Sequence, residues 1–202
     1  EQLIEAAAEG APHILPAIGL MLGAGLRSSE ALGVDMAHFY PATGEAWIPK
    51  TKNGEPRMVR LPSRALDLIR SRPLPDAGAI CRSPKGRAYV QRENGGGQIS
   101  TAFANAVTRA GLDRNEITPH VLRHTWATWY YAQTHDFGGL LDIGGWKKSD
   151  MAQRYRKIAP ANLPDRLQAH GWSFGATIRE EQPTAAPFRQ ASGGRPILRV
   201  IK

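Results

Sequence analysis

The chain has 202 residues, with 26 lysines and arginines against 18 acidic residues, a formal net charge of +8. At 42% hydrophobic and 22% charged it has ordinary globular composition, which excludes a disordered or fibrous chain. A single cysteine, Cys81, excludes an internal disulfide framework and a thiolate metal cluster.

The longest uncharged run, Gly10 to Leu26, contains Pro12, His13 and Pro16 and falls short of the ~20 apolar residues that span a bilayer, so no membrane partner is expected. The start, Glu1-Gln2-Leu3-Ile4-Glu5, has neither a basic leader nor an initiator methionine, and reads as the beginning of a piece of a longer intracellular protein. The charge is segregated. Residues 1–26 hold three glutamates and no lysine or arginine, whereas residues 50–92 hold eleven basic side chains against Glu55, Asp67 and Asp76. Lys147, Lys148, Arg154, Arg156 and Lys157 form a second cluster. Segregated positive charge favours a polyanionic partner, since each neutralised phosphate releases counterions; a merely solvated face has the same composition.

In chain order, Glu1–Ala8 reads as a first helix and Pro12 opens a second that ends near Gly23 or Gly25. Ser28 and Ser29 are candidate caps for a short helix carrying Glu30. Ala46–Ile48 and Met58–Leu61 read as strands joined through Asn53-Gly54, a hairpin signal, with Lys52 at or beside the turn. Ser63 is a candidate cap for Arg64–Arg70, which Pro73 and Pro75 stop. Residues 82–97 read as a basic loop. Helix resumes over Ser100–Ala110, ending at Gly111, and again from Thr118-Pro119 to about Gln133. Phe137–Ile143 and Ser149–Tyr155 are two further short helices, and Pro164–His170 is a candidate docking helix. Beyond it Pro183, Pro187 and Gly193-Gly194 break the pattern, and Ile197–Lys202 has strand composition. The expected fold is mainly α with a small antiparallel β-sheet (α+β). There is no internal repeat and no glycine-rich nucleotide motif.

His120-Val121-Leu122-Arg123-His124 places two histidines at i and i+4 on one helical face. That spacing also builds zinc sites, but the glutamate of such motifs is missing and Arg123 opposes a dication. A phosphate suits the segment better, because arginine offers a two-pronged donor and the helix start adds free N–H groups. Taken singly, Arg27 with Glu30, Lys52 on a turn, Trp146 after Gly144-Gly145, and Tyr155 each have an ordinary structural explanation.

Their order is more specific. The stretches GLRSSEALGV (25–34), TKNGEPRMVRLP (51–62), TPHVLRHTWAT (118–128) and IGGWKKSDMAQRYRKIAP (143–160) resemble the catalytic motifs of the tyrosine recombinases, the phage integrase family. The resemblance implies a mainly helical catalytic domain over residues 1–175, with a tail over 176–202 packing in cis or in trans. It also implies that an N-terminal DNA-binding domain lies outside this chain. By the same resemblance Tyr155 is the nucleophile of a site-specific DNA recombinase that proceeds through a 3′-phosphotyrosyl intermediate. Arg27 and Arg123 clamp the phosphate, His120 and Trp146 complete its pocket, and Lys52 protonates the leaving oxygen. His120 is the motif's candidate for taking the phenolic proton. Glu30 orients Arg27 and His124 is structural. Lys50, Arg57, Arg60, Lys147, Lys148 and Arg154 form the expected DNA face. No metal and no cofactor are expected. The partner is double-stranded DNA, bound by a homotetramer although the piece alone is monomeric, in the cytoplasm of a bacterium or as a phage product. After Gly33-Val34-Asp35, residues 36–40 depart from the family pattern. A type IB topoisomerase-like relaxing enzyme, a non-catalytic DNA-binding module and a metal-dependent hydrolase remain the rival readings.

Overall fold

In a computed structural model of the chain, residues 1–49, 55–90, 98–156 and 159–175 are described. Helix α1 (Gln2–Gly10) is followed by a 3₁₀ turn (Pro12–Ile14), α2 (Leu15–Ala24) and α3 (Ser28–Leu32). Strands β1 (Phe39–Tyr40), β2 (Glu45–Ile48) and β3 (Arg57–Arg60) form one antiparallel sheet in the order β1-β2-β3. Then come α4 (Ser63–Arg70), α5 (Ser100–Arg109), α6 (Pro119–Thr134), α7 (Phe137–Gly144), α8 (Asp150–Gln153), a 3₁₀ turn (Arg154–Arg156) and α9 (Leu163–Ala169). The mainly helical architecture with a small antiparallel sheet is as the sequence indicates.

All ten residues of α2 are buried, and it packs between α4 and α6. A helix apolar on every side must be the centre of a domain, and this one is. In the sheet, Ala46 opposes Val59, and both are buried along with Ile48, while Met58 and Arg60 face out. The pleat's period of two thus seats one face of the hairpin on the core. The connection between β2 and β3 spans 49–56. Lys50, Lys52 and the Asn53-Gly54 turn lie outside the described residues, as do Lys157, residues 91–97 of the basic loop and the Ile197–Lys202 segment.

Several local expectations are corrected. Strand β1 falls in the stretch that departs from the family pattern; two residues are too short to show alternation in sequence. Neither Ser28 nor Ser29 caps α3. Arg27 is the N-cap, and its amide donates to Oε2 of Glu30 at 2.9 Å, a glutamate reaching back from the third helical position. Ser28 Oγ instead lies 3.6 Å from the Met21 sulfur. Ser63 is inside α4, whose N-cap is Pro62, and its hydroxyl donates to the Gly171 carbonyl at 3.1 Å. The predicted helix over Ser149–Tyr155 is α8 followed by a tighter turn that carries Tyr155.

Helix α9 and the residues after it lie against α6. Trp172 is buried with its ring 5.3 Å from that of Trp129, and the Gln133 amide donates to the Trp172 carbonyl and accepts from the Phe174 amide. The segment up to Gly175 therefore packs on its own chain. Among the described residues no helix is long and apolar enough to cross a membrane.

Candidate active site

Two sharp turns frame the site. Gly25, at φ +63°, ends α2, and a β-carbon there would fall 2.2 Å from the Trp126 ring. Gly145, at φ +62°, ends α7. Both positions need the left-handed backbone that glycine adopts without cost. The first turn delivers Arg27 and the second Trp146.

Arg123 joins these turns. It sits in the first turns of α6, only 2% exposed, and its Nη1 donates to the Gly25 carbonyl at 2.6 Å while its Nη2 donates to the Gly144 carbonyl. Its Cζ lies 4.4 Å from the centroid of the Trp146 ring. Burying a guanidinium is costly unless its protons are taken up, and two backbone oxygens and an aromatic face do so here. Burial first, then the charge of Arg27, push the Arg123 pKa down to about 10, which leaves it charged at neutral pH. The two arginines are therefore electrostatic neighbours on one wall.

Arg27 is held from behind. Its Nη1 donates to Glu30 Oε1 at 3.1 Å, and its side chain remains one-third exposed (33%) while that of Glu30 is 2% exposed. Burial alone would raise the Glu30 pKa; the charge of Arg57 and the amide and charge of Arg27 outweigh it and hold the carboxyl below the usual 4.5. Arg57 corrects an expectation. Placed by sequence on the DNA face, it is 8% exposed and turned inward, with Nη2 3.1 Å from Glu30 Oε2 and Nε donating to the Ile143 carbonyl at 2.7 Å. Its Nη1 is buried with no hydrogen-bond partner among the described residues. Arg57 thus fastens the start of β3 both to the carboxylate behind Arg27 and to the end of α7. Strand alternation puts Arg57 on the face of the buried Val59 and opposite Arg60, a signal that could have found it; the partners it meets there are set by packing. Of the other expected DNA-face residues, Lys50 lies outside the described residues and the remaining four are on the surface: Arg60 pairs with Glu45 at 3.0 Å, Lys147 lies 3.7 Å from Glu55, and Lys148 and Arg154 are exposed.

The aromatic half of the site is compact. Trp146 stacks near Trp126 at 6.1 Å and stands 5.7 Å from Tyr155, ring centre to ring centre. Tyr155 is 2% exposed, and its hydroxyl is hydrogen-bonded to Nδ1 of His124. Arg154 covers the phenol ring at 5.2 Å and brings Nη2 to 3.5 Å from the same His124 nitrogen. His120 is exposed at the mouth, its ring edge-on to that of His124 at 4.5 Å. Burial, then Arg123, Arg27 and Arg154, lower the His120 pKa. Burial, then His120, Arg154 and Arg123, push that of His124 down to about 4. Burial first, and then the positive neighbours, favour the neutral form of both imidazoles. Among the described residues no three histidine, cysteine or acidic side chains converge on a metal position. Cys81, outside the site, is buried with its thiol against the Ala31 carbonyl, and burial pushes its pKa up to about 12, leaving it inert.

This arrangement of a mainly helical domain, a three-stranded sheet and a cationic wall beside a buried tyrosine has the fold of recombinase catalytic domains. The XerA recombinase superposes with a TM-score of 0.63 at 19% identity, over 84% of this chain and 60% of that one. The XerH site-specific recombinase bound to palindromic difH substrate, in its post-cleavage complex, superposes with a TM-score of 0.61 at 21% identity, over 83% and 50%. In sequence, the tyrosine recombinase XerC of Escherichia coli O157:H7 (strain EC4115 / EHEC) is 30% identical over 145 residues, 69% of this chain and 46% of XerC. The Phage integrase family model matches residues 1–162, and the chain belongs to that family. It spans less than half the length of the XerC relative it matches.

Proposed function

We propose that this chain is the catalytic domain of a site-specific DNA recombinase, which breaks and rejoins DNA strands through a covalent 3′-phosphotyrosyl link on Tyr155. The observation that carries this reading is the position of Arg123: one guanidinium ties the turn before Arg27 to the turn before Trp146, with Tyr155 packed against that tryptophan. Family membership and the XerH–difH complex among the structural relatives support DNA as the partner.

In this reading a backbone phosphate enters the cationic wall, with Arg27 and Arg123 facing its non-bridging oxygens and His120 and the Trp146 indole N–H as further donors. Such fixed donors stabilise the charge that grows on those oxygens in the transition state. The bond from Tyr155 Oη to phosphorus forms as the bond to the 5′-oxygen breaks, and Lys52 supplies that oxygen with a proton. The phosphotyrosyl ester keeps the energy of the broken phosphodiester, so attack by another 5′-hydroxyl reseals DNA without ATP. Exchange between two duplexes needs four such tyrosines, hence a tetramer on paired sites, with this chain monomeric in the absence of DNA.

The test incubates the chain with a pool of nicked duplexes of randomised core sequence, whose short cleaved strand is lost so that the adduct accumulates. A protein–DNA adduct on a denaturing gel, mapped by peptide analysis to Tyr155 and absent in Tyr155→Phe with DNA affinity unchanged, is the expected result. An adduct that persists in Tyr155→Phe overturns the reading.

A further inference from the structure

The phenol of Tyr155 must lose a proton as it attacks, and its ordinary pKa is about 10. The motif's candidate for accepting that proton is His120, yet the hydrogen bond made by the hydroxyl goes to His124. Two contacts point to the phenol as the donor. Arg154 Nη2 also approaches His124 Nδ1, at 3.5 Å, and a guanidinium has only protons to offer. A nitrogen approached by Arg154 carries a lone pair, so the ring proton resides on Nε2 and the phenol is the donor. Helix geometry holds the acceptor in place: His124 follows Arg123, the most firmly anchored side chain of the site, and its ring is braced edge-on by that of His120.

We propose that His124 is a catalytic residue, the base whose Nδ1 accepts the Tyr155 proton during strand cleavage and returns it during rejoining. The proposal rests on Tyr155 being the nucleophile, as argued above. As Oη bonds to phosphorus, the O–H bond breaks and its proton passes to Nδ1, giving an imidazolium, while the 5′-oxygen leaves with a proton from elsewhere. In rejoining, the imidazolium protonates Oη as the phosphotyrosyl bond breaks, so the proton balance closes over the cycle. The groups facing His124 are His120 and Arg123 on its own helix and Arg154 and Tyr155 on the turn after α8. In the free site burial first, then His120 and the charges of Arg154 and Arg123, disfavour the imidazolium. A bound phosphate beside Arg27 and Arg123 offsets that charge, so base strength rises when substrate is present. Arg154, over the phenol ring, stabilises the phenolate as it forms.

The experiment measures adduct formation by the whole chain on the nicked duplex pool at saturating DNA, from pH 6 to 9.5, for wild type, His124→Ala and His124→Asn. Asparagine can still accept a hydrogen bond at the position of Nδ1 but is no base. Wild type is expected to be flat from pH 6 to 8. Both variants are expected to lose about 10²–10⁴-fold at pH 7, the usual scale for a general base, and to climb about tenfold per pH unit as hydroxide takes over. DNA affinity and the far-UV melting curve should be retained by His124→Asn. A His124→Asn enzyme as fast as wild type would assign the residue to orientation alone and overturn the proposal. So would either variant staying within threefold of wild type at pH 7, or a variant keeping the flat wild-type profile. An adduct surviving in Tyr155→Phe would instead mark failure of the nucleophile assignment, a separate result.

Discussion

Replacing Arg57 by alanine tests whether the interior ion pair is what braces the site. The Arg57 and Glu30 side chains are 8% and 2% exposed, and the pair closes at 3.1 Å. Arg57→Ala leaves Glu30 with the Arg27 amide and guanidinium but removes its second arginine, at a cost of about 1.5–3 kcal/mol, the scale of a hydrogen bond to a charged group, and in a domain of this size that lowers the melting temperature by roughly 3–12 °C. The Ile143 carbonyl also loses its donor. The sign with pH is informative. In the native protein the Glu30 carboxyl titrates below the usual 4.5, so its contribution is present above that value and is lost as pH falls through the lowered one. Without Arg57 the largest of the influences that lower it is gone, so the folded pKa of Glu30 rises from its wild-type position. The variant is then most penalised at neutral pH, and lowering the pH towards 5 narrows its gap to wild type. Urea or thermal melts at pH 7.5 and pH 5 measure both effects, and the wild type supplies its own baseline at each pH. A gap under about 1 kcal/mol at pH 7.5, smaller than the loss of a hydrogen bond to a buried charge, would refute the reasoning, as would a gap that does not change with pH.

Arg27→Ala and Arg123→Ala should each slow adduct formation by about 10²–10³, the scale of one lost transition-state donor. They should separate in stability: Arg123→Ala leaves two carbonyls without donors and should melt several degrees lower, whereas Arg27→Ala, at a partly exposed position, should melt close to wild type. Lys52→Ala should lose cleavage on ordinary DNA and regain it when the leaving group is a 5′-thiol, which departs without a proton; no recovery would remove Lys52 from the general-acid role. DNA affinity should fall steeply with added salt and cleavage should persist in EDTA, since the cations of the site are side chains; a strict requirement for a divalent metal would count against the mechanism.

Much of the architecture is readable from residue order. The uniformly apolar α2, the Thr118-Pro119 start of α6 and the alternation in β2 and β3 are patterns of a dozen residues or fewer, and each element follows from its own stretch of chain. The candidate site residues are readable for a different reason: arginine, histidine, tryptophan and tyrosine at these spacings match a family pattern, whatever their packing. Partners of side chains are not readable in this way. Arg57 and Arg60, three residues apart in β3, stand on opposite faces of the pleat as alternation requires, yet that Glu30 and α7 close over the inward one while the other pairs with Glu45 on the surface is decided by packing. Ser28 and Ser63 have the residue type of a cap, but Glu30, of the same helix as Ser28, bonds the Arg27 N-cap amide, and the Gly171 carbonyl, from a distant segment, takes the Ser63 hydroxyl. His120 and His124 share a helical face, and only the docking of the turn after α8 decides that the tyrosine hydroxyl meets the second of them. Propensity and periodicity act within a few residues and survive in the bare chain. The partner of a long polar side chain depends on which distant segment fills the space beside it, and that is settled only when the segments pack.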